Sequence, residues 1–152
     1  MLFRTHILLG IVMFLFVKDY FSGGYQVIFF LLILLGSIFP DIDNGKSKMK
    51  KASGVIGGII SFLFKHRGIF HSLFFAGLIS FLLAFFWKSY YGWGFFLGYF
   101  SHLIGDSLTP MGVHLLYPIT KWKIRGPIRT GGIGEWAVLI GLIILIIKEI
   151  IF

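Results

Sequence analysis

The chain has 152 residues, of which 57% are hydrophobic before its 20 glycines are counted and only 13% are charged. Ordinary soluble domains are about 45–50% apolar with glycine included, and about 25% charged. Because a small domain has a high surface-to-volume ratio, a chain this short cannot hide so much apolar surface from water. The composition excludes a soluble globular domain and a disordered segment, and it predicts a single integral membrane domain over residues 1–152.

The absence of cysteine excludes disulfides and thiolate metal sites, so any metal ligands must be histidines and carboxylates. The net charge of +8 is compatible with nucleic-acid binding. In a membrane chain, however, clustered Lys and Arg more often set the topology and contact anionic headgroups. We therefore expect membrane lipid as the partner and no nucleic acid.

Five apolar stretches, taken in chain order, predict membrane-spanning helices at residues 2–17, 25–39, 69–87, 93–108 and 135–152. Their lengths lie close to the roughly 20 residues that a crossing helix needs. A sixth stretch, residues 52–64, is too short to span and predicts an interfacial or re-entrant helix. The predicted fold is an all-α, polytopic membrane helix bundle.

The distribution of basic residues predicts how this bundle is oriented. With five spans, the N-terminus and the loops 40–68 and 109–134 share one side, which carries 11 of the 14 Lys and Arg residues. The positive-inside rule places that side in the cytoplasm and the C-terminus outside. Trp87, Tyr90, Tyr91 and Trp93 flank the short outer turn, where we expect an aromatic belt.

Most of the acidic residues and histidines lie at one depth of the predicted topology. Asp19 and Glu149 are interfacial charges at outer ends. The other nine all lie at the cytoplasmic ends of the spans or in the loops beside them: His6, Asp41, Asp43, His66, His71, His102, Asp106, His114 and Glu135. An ionisable side chain in hydrocarbon costs at least about 2.5–3.5 kcal/mol, so such groups point toward partners or water. A bound cation would satisfy several of them together, as would contacts among themselves.

Two local patterns stand out. His102 and Asp106 lie four residues apart on one helix face. Gly98 and Gly105 on the same helix would let a neighbouring helix approach closely. The stretch from His66 to Ser72 is the stronger pattern, because two histidines flank Arg67 and Gly68 where a loop enters a helix. Each of the other residues also has a simple structural interpretation. Asp41 and Asp43 follow Pro40 and are compatible with a helix stop, and a first-turn Glu135 complements the helix dipole.

Taken together, the set predicts a divalent-metal site. We take His6, Asp41, His66, His71, His102, Asp106 and His114 as candidate ligands, which suit Zn and also Mn, Fe or Mg, with room for two ions. Asp43 and Glu135 are candidate general bases, and Arg67 is a candidate catalytic cation. Arg125 and Arg129 are candidate phosphate-binding residues, although positive-inside anchoring explains that loop better.

Several motifs in order resemble the YdjM family, small inner-membrane proteins described as LexA-regulated, metal-dependent hydrolases. The likeness runs through Thr5-His6, Pro40-Asp41-Ile42-Asp43, His66-Arg67-Gly68-Ile69-Phe70-His71-Ser72, the stretch from Gly98 to Gly112, and Leu115-Leu116-Tyr117-Pro118. This resemblance implies a multi-helix membrane protein with a metal centre.

A weaker likeness, of ligand order only, is to zinc-dependent phospholipase C and the related single-strand nucleases. It runs through His6, Asp41 or Asp43, His66 or His71, His102-x3-Asp106 and His114, and it lacks the final His-x3-Glu of those enzymes.

Metal ions at such a site typically support hydrolysis, because they activate water and stabilise developing negative charge. We therefore expect a membrane-embedded metal-dependent hydrolase that acts on a phosphoester of a lipid or lipid-linked substrate at the cytoplasmic leaflet. An ion or proton transporter that uses the same His/Asp cluster is the alternative, and a non-catalytic membrane scaffold is a third.

Overall fold

A computed structural model describes residues 1–43 and 69–151 of the chain, except for the side chains of Ile42 and Asp43. Five α-helices follow in order: α1 (Phe3–Val17), α2 (Gln26–Ile38), α3 (Leu73–Phe86), α4 (Ser89–Ser107) and α5 (Ile133–Ile151). Two 3₁₀ turns, Phe39–Asp43 and Ile69–His71, lie at the end of α2 and before α3. The described residues form no strand beyond one isolated bridge between Val113 and Ile124. The all-α prediction is confirmed for this part of the chain.

The predicted spans and the helices agree in position more than in length. The helices α1, α2 and α5 lie within two residues of the predicted bounds at each end. α3 begins later than predicted, after the 3₁₀ turn at Ile69–His71, and α4 begins four residues earlier, at Ser89. Among the described residues, no helix combines the length and the apolar character that a membrane crossing requires. The predicted helix at 52–64 lies outside the described residues.

Helix α4 is the centre of the bundle. It packs against α1, α2 and α3, with its most extensive contact on α2, while α5 packs on α1. The core between these helices is aromatic and aliphatic, with Phe29 and Ile33 of α2 and Phe95, Tyr99 and Leu103 of α4 all at most 2% exposed. Helix α4 therefore packs a different face against each of α1, α2 and α3.

Close helix contacts depend on the two glycines that were predicted to allow them. A Cβ atom at Gly98 would overlap the backbone of Ile33 in α2. At Gly105 it would lie 2.7 Å from Leu9 Cδ1 and 3.3 Å from the ring of His6, both in α1. Small residues at helix crossings let backbones approach in this way. Gly105 thus gives α1 the room to place the ring of His6 against α4.

The turn between α3 and α4 differs from the prediction. Tyr90 and Tyr91 are 7% and 2% exposed, and the hydroxyl of Tyr91 accepts a hydrogen bond from Tyr25 N at 3.2 Å. Both tyrosines belong to the core and not to an aromatic belt, because α4 starts before them and turns them toward α2. Trp87 and Trp93 remain about half exposed, at 55% and 49%.

Candidate metal centre

Four chain segments bring their ionisable side chains to one buried point. His6 comes from α1, Asp41 from the 3₁₀ turn after α2, and His71 from the 3₁₀ turn before α3, while α4 supplies both His102 and Asp106. Asp41 is 7% exposed, and the other four are at most 1% exposed. These five of the nine predicted residues therefore lie together among the described residues.

Local contacts explain how two of these segments are held. Pro40 has no N–H with which to continue the hydrogen bonds of α2, and it lies in the 3₁₀ turn that follows this helix and carries Asp41. The turn that carries His71 is held by the hydroxyl of Tyr99, which donates to the carbonyl of Phe70. The Ser72 hydroxyl then caps α3 by accepting from Phe75 N at 3.3 Å.

Asp106 is the electrostatic centre of the cluster. Its Oδ1 lies 3.5 Å from His6 Nε2, and its Oδ2 lies 3.6 Å from His71 Nε2 and 3.7 Å from His102 Nε2. The amino nitrogen of Met1 lies 2.5 Å from Oδ1. The three separations from imidazole are longer than the about 2.7–3.2 Å of a good N–H···O hydrogen bond.

The three imidazoles also contact one another. The rings of His6 and His102 are stacked, with centroids 3.9 Å apart and planes at 16°. The ring of His71 meets the ring of His102 edge to face at 5.3 Å. The ring of His102 thus contacts both of the other imidazoles.

Hydrogen bonding fixes the orientation of His102. Its Nδ1 lies 2.8 Å from the backbone carbonyl of Ser37 in α2. A carbonyl oxygen can only accept, so Nδ1 carries a proton, and in the neutral ring Nε2 then keeps its lone pair. A backbone acceptor behind a histidine is the usual second partner of a metal-binding imidazole. Ser37 was not found from the sequence, because the interacting atom is a backbone oxygen that no side-chain pattern marks.

The donor spacing fits a divalent cation. Two groups of three, His6–Asp41–His102 and His71–His102–Asp106, each have ligand atoms within 4.8 Å of one another. Ligand atoms around a tetrahedral zinc, at about 2.0–2.1 Å from the ion, lie roughly 3.3 Å apart. Among the described residues, neither nitrogen of His6 has a hydrogen-bond partner, and neither has Nε2 of His102. Buried nitrogens without partners at this spacing are what a metal would satisfy.

The two groups share one donor. Because His102 Nδ1 is engaged by Ser37, only Nε2 of His102 can bind an ion, and both groups need it. The geometry therefore favours one ion with up to five protein donors over the two ions for which the sequence left room.

The remaining predicted residues lie elsewhere. His114 is half-buried in the loop after α4, with its Nδ1 3.0 Å from the carbonyl of Lys121, and it belongs to neither group. Glu135 is 1% exposed and accepts hydrogen bonds from α1 and from the turn before α5. Arg125 and Arg129 are exposed on the loop after α4. His66, Arg67 and the side chain of Asp43 lie outside the described residues.

Comparison with known proteins identifies the family. A family model described as YdjM inner membrane protein matches residues 1–151. The chain belongs to the YdjM inner membrane protein family. Inner membrane protein YdjM of Escherichia coli (strain K12) is 39% identical over 103 residues, which are 62% of this chain and 51% of that protein. The protein of the same name from Shigella flexneri aligns with the same identity and coverage.

A further relative aligns over most of both chains. Uncharacterized protein YvsG of Bacillus subtilis (strain 168) is 33% identical over 147 residues, which cover 91% of this chain and 88% of YvsG. The chain spans about half the length of the two YdjM relatives, 51% in each case. No solved structure matches the chain. The family resemblance predicted from the motifs is thus confirmed, and it supports a membrane location.

Proposed function

We propose that this YdjM-family protein is a membrane-embedded, metal-dependent hydrolase whose centre is formed by His6, Asp41, His71, His102 and Asp106. The observation that carries the proposal is their convergence in two buried donor triads that share His102, with the ligand atoms of each triad within 4.8 Å of one another. Three buried imidazoles also lie 3.5–3.7 Å from the carboxylate of Asp106, which supports the proposal.

The donor set favours zinc. Three imidazoles and two carboxylates suit Zn, Mn or Fe better than Mg, which prefers oxygen ligands and retains its waters. A divalent ion in such a site supplies Lewis-acid stabilisation of negative charge and lowers the pKa of a water molecule toward about 7. His102 is oriented for this role by the carbonyl of Ser37, and Asp106 supplies the negative charge that offsets the cation.

The proposed substrate is a phosphoester of a lipid or lipid-linked molecule at the cytoplasmic leaflet. Membership of an inner membrane protein family supports a substrate that the membrane presents. The exposed guanidinium groups of Arg125 and Arg129 are suited to bind phosphate, and positive-inside anchoring remains the competing explanation for them. The predicted orientation, with the N-terminus in the cytoplasm, is part of this proposal.

A hydrolysis assay tests this function. The purified chain, loaded with Zn, Mn, Fe or Mg in detergent, is given phospholipids and phosphomonoesters, and the released phosphate or diacylglycerol is measured. We expect turnover that depends on the metal, is abolished in His102→Ala and is retained in His114→Ala. Stoichiometric zinc with no product from any substrate, together with metal flux in proteoliposomes, would instead support the transporter.

A further inference from the structure

The first turn of α5 holds a buried carboxylate that is not a member of either donor triad. Glu135 Oε1 accepts hydrogen bonds from Leu2 N at 2.6 Å and from Thr5 Oγ1 at 2.9 Å. Its Oε2 accepts from Gly131 N at 2.6 Å. With three donors and 1% exposure, this side chain is fixed in a single position. It links α1, α5 and the turn that precedes α5.

The donors that Glu135 binds lie directly beside a proposed metal ligand. Leu2 is the N-cap residue of α1, and Thr5 immediately precedes His6. Because Glu135 holds the backbone of Leu2 and the side chain of Thr5, it fixes the rotation of the first turn of α1. That rotation determines the direction in which the imidazole of His6 leaves the helix.

A second contact joins the same two turns. The guanidinium carbon of Arg4 lies 4.1 Å from the ring centroid of Trp136, which is a cation–π geometry. Glu135 and Leu139 are the buried side chains of α5 among the described residues, and both lie in the first two turns of the helix. The start of α5 is therefore its most deeply buried part.

We infer that Glu135 is a positioning residue, which aligns His6 with Asp106 and His102 by holding the first turn of α1. Glu135 would act through Leu2 and Thr5 and would neither bind the metal nor accept a proton from water. The consequence for metal binding rests on the proposed function, whereas the positional effect on His6 does not.

Side-chain NMR of the full chain, ¹⁵N-labelled at histidine and free of metal in detergent, tests the positional effect. The ring of His6 stacks on His102, so its resonances respond to small rotations of α1. Glu135→Gln and Thr5→Val should both shift the His6 and His102 signals and leave the His114 signal unchanged. Thr5→Ser, which keeps the hydroxyl, should match the wild type. His6 signals that stay in place in Glu135→Gln and Thr5→Val would overturn the inference.

Zinc affinity, measured by chelator competition, tests the consequence for the metal. Loss of a residue that orients a ligand typically costs about 10–100-fold in metal affinity. We expect that loss in Glu135→Gln and in Thr5→Val, and no further loss when either is added to His6→Ala. Full additivity with His6→Ala would overturn the positioning role. A wild-type chain that takes up no zinc would overturn the proposed function, and the NMR comparison would still decide the role of Glu135.

Discussion

Asp106 has three imidazoles within 3.5–3.7 Å of its carboxylate, in a pocket where none of the four side chains is more than 1% exposed. A buried polar atom without a partner costs about 1–3 kcal/mol, and His6 has two such nitrogens. A cation that binds to these nitrogens would offset this free-energy cost. At the level of single residues, we therefore interpret the cluster as a site organised for an ion.

Removal of His102 or Asp106 gives the clearest prediction for single residues. His102→Ala removes the donor that both triads share, and Asp106→Ala removes the carboxylate at the centre. Each variant should lose zinc affinity by more than the about 10–100-fold that loss of an orienting residue costs.

The measurement is zinc binding by competition with a chromophoric chelator, and His114→Ala is the matched control because His114 lies outside both triads. Wild-type affinity in His102→Ala would show that the triads do not hold the metal.

The sequence singled out the five residues of the cluster because the predicted topology placed the ends of their helices on one side of the bundle. The predicted topology could not show that His114 lies outside both triads, because the path of its loop is set by backbone contacts such as the bridge between Val113 and Ile124. It also could not assign Glu135 its donors, since nothing in the local sequence shows that Leu2 N and Thr5 Oγ1 would reach it.

Among the helices, the contact between α2 and α4 positions His102 in the site. This contact carries Ser37 and His102 on its two sides, and Gly98 lies where the helices are closest. The sequence predicted that a neighbouring helix would approach Gly98 without identifying that helix, and it placed the start of α4 at residue 93, between Gly92 and Gly94. In the fold both glycines are close-contact positions, against Ser80 O and Phe29 respectively, and tertiary packing overrides their low helix propensity.

The substitution Gly98→Ala tests the importance of this contact. The new Cβ would overlap the backbone of Ile33, which cannot move aside as a side chain could. Overpacking of this kind typically costs about 1–3 kcal/mol of unfolding free energy.

Gly77→Ala in α3 is the matched control, because a Cβ added there would have no neighbouring atom within 4 Å and a helical alanine gains about 0.5–1 kcal/mol over glycine. Denaturant unfolding in detergent measures both variants. Equal stability of Gly98→Ala and the wild type would contradict the packing argument.

For the molecule as a whole, the apolar surface is the dominant feature. α5 exposes Ile140, Ile144, Ile147 and Ile150, and α3 exposes Phe81 and Phe85. Contiguous exposed apolar patches mark contact with a membrane or another protein, and membership of an inner membrane protein family supports the membrane. Composition predicted this surface, whereas it could not show that the helices are as short as they are.

Metal binding should stabilise the whole fold, because four separate chain segments meet at the site. A ligand that binds only the folded chain adds about 2.7 kcal/mol when its free concentration is 100 times Kd. We expect zinc to raise the thermal midpoint of the wild type and a chelator to reverse the rise, while His102→Ala should not respond. The measurement is thermal unfolding in detergent with and without zinc. An equal rise in His102→Ala would mean that zinc binds elsewhere.

X-ray absorption spectroscopy at the zinc edge identifies the ligands of the bound ion directly. The sample is the full chain loaded with one equivalent of zinc. We expect nitrogen and oxygen neighbours at about 2.0–2.1 Å, with multiple-scattering features from at least two imidazoles, and fewer imidazoles in His102→Ala. A spectrum without imidazole, or one that His102→Ala leaves unchanged, would contradict a metal centre at the His/Asp cluster.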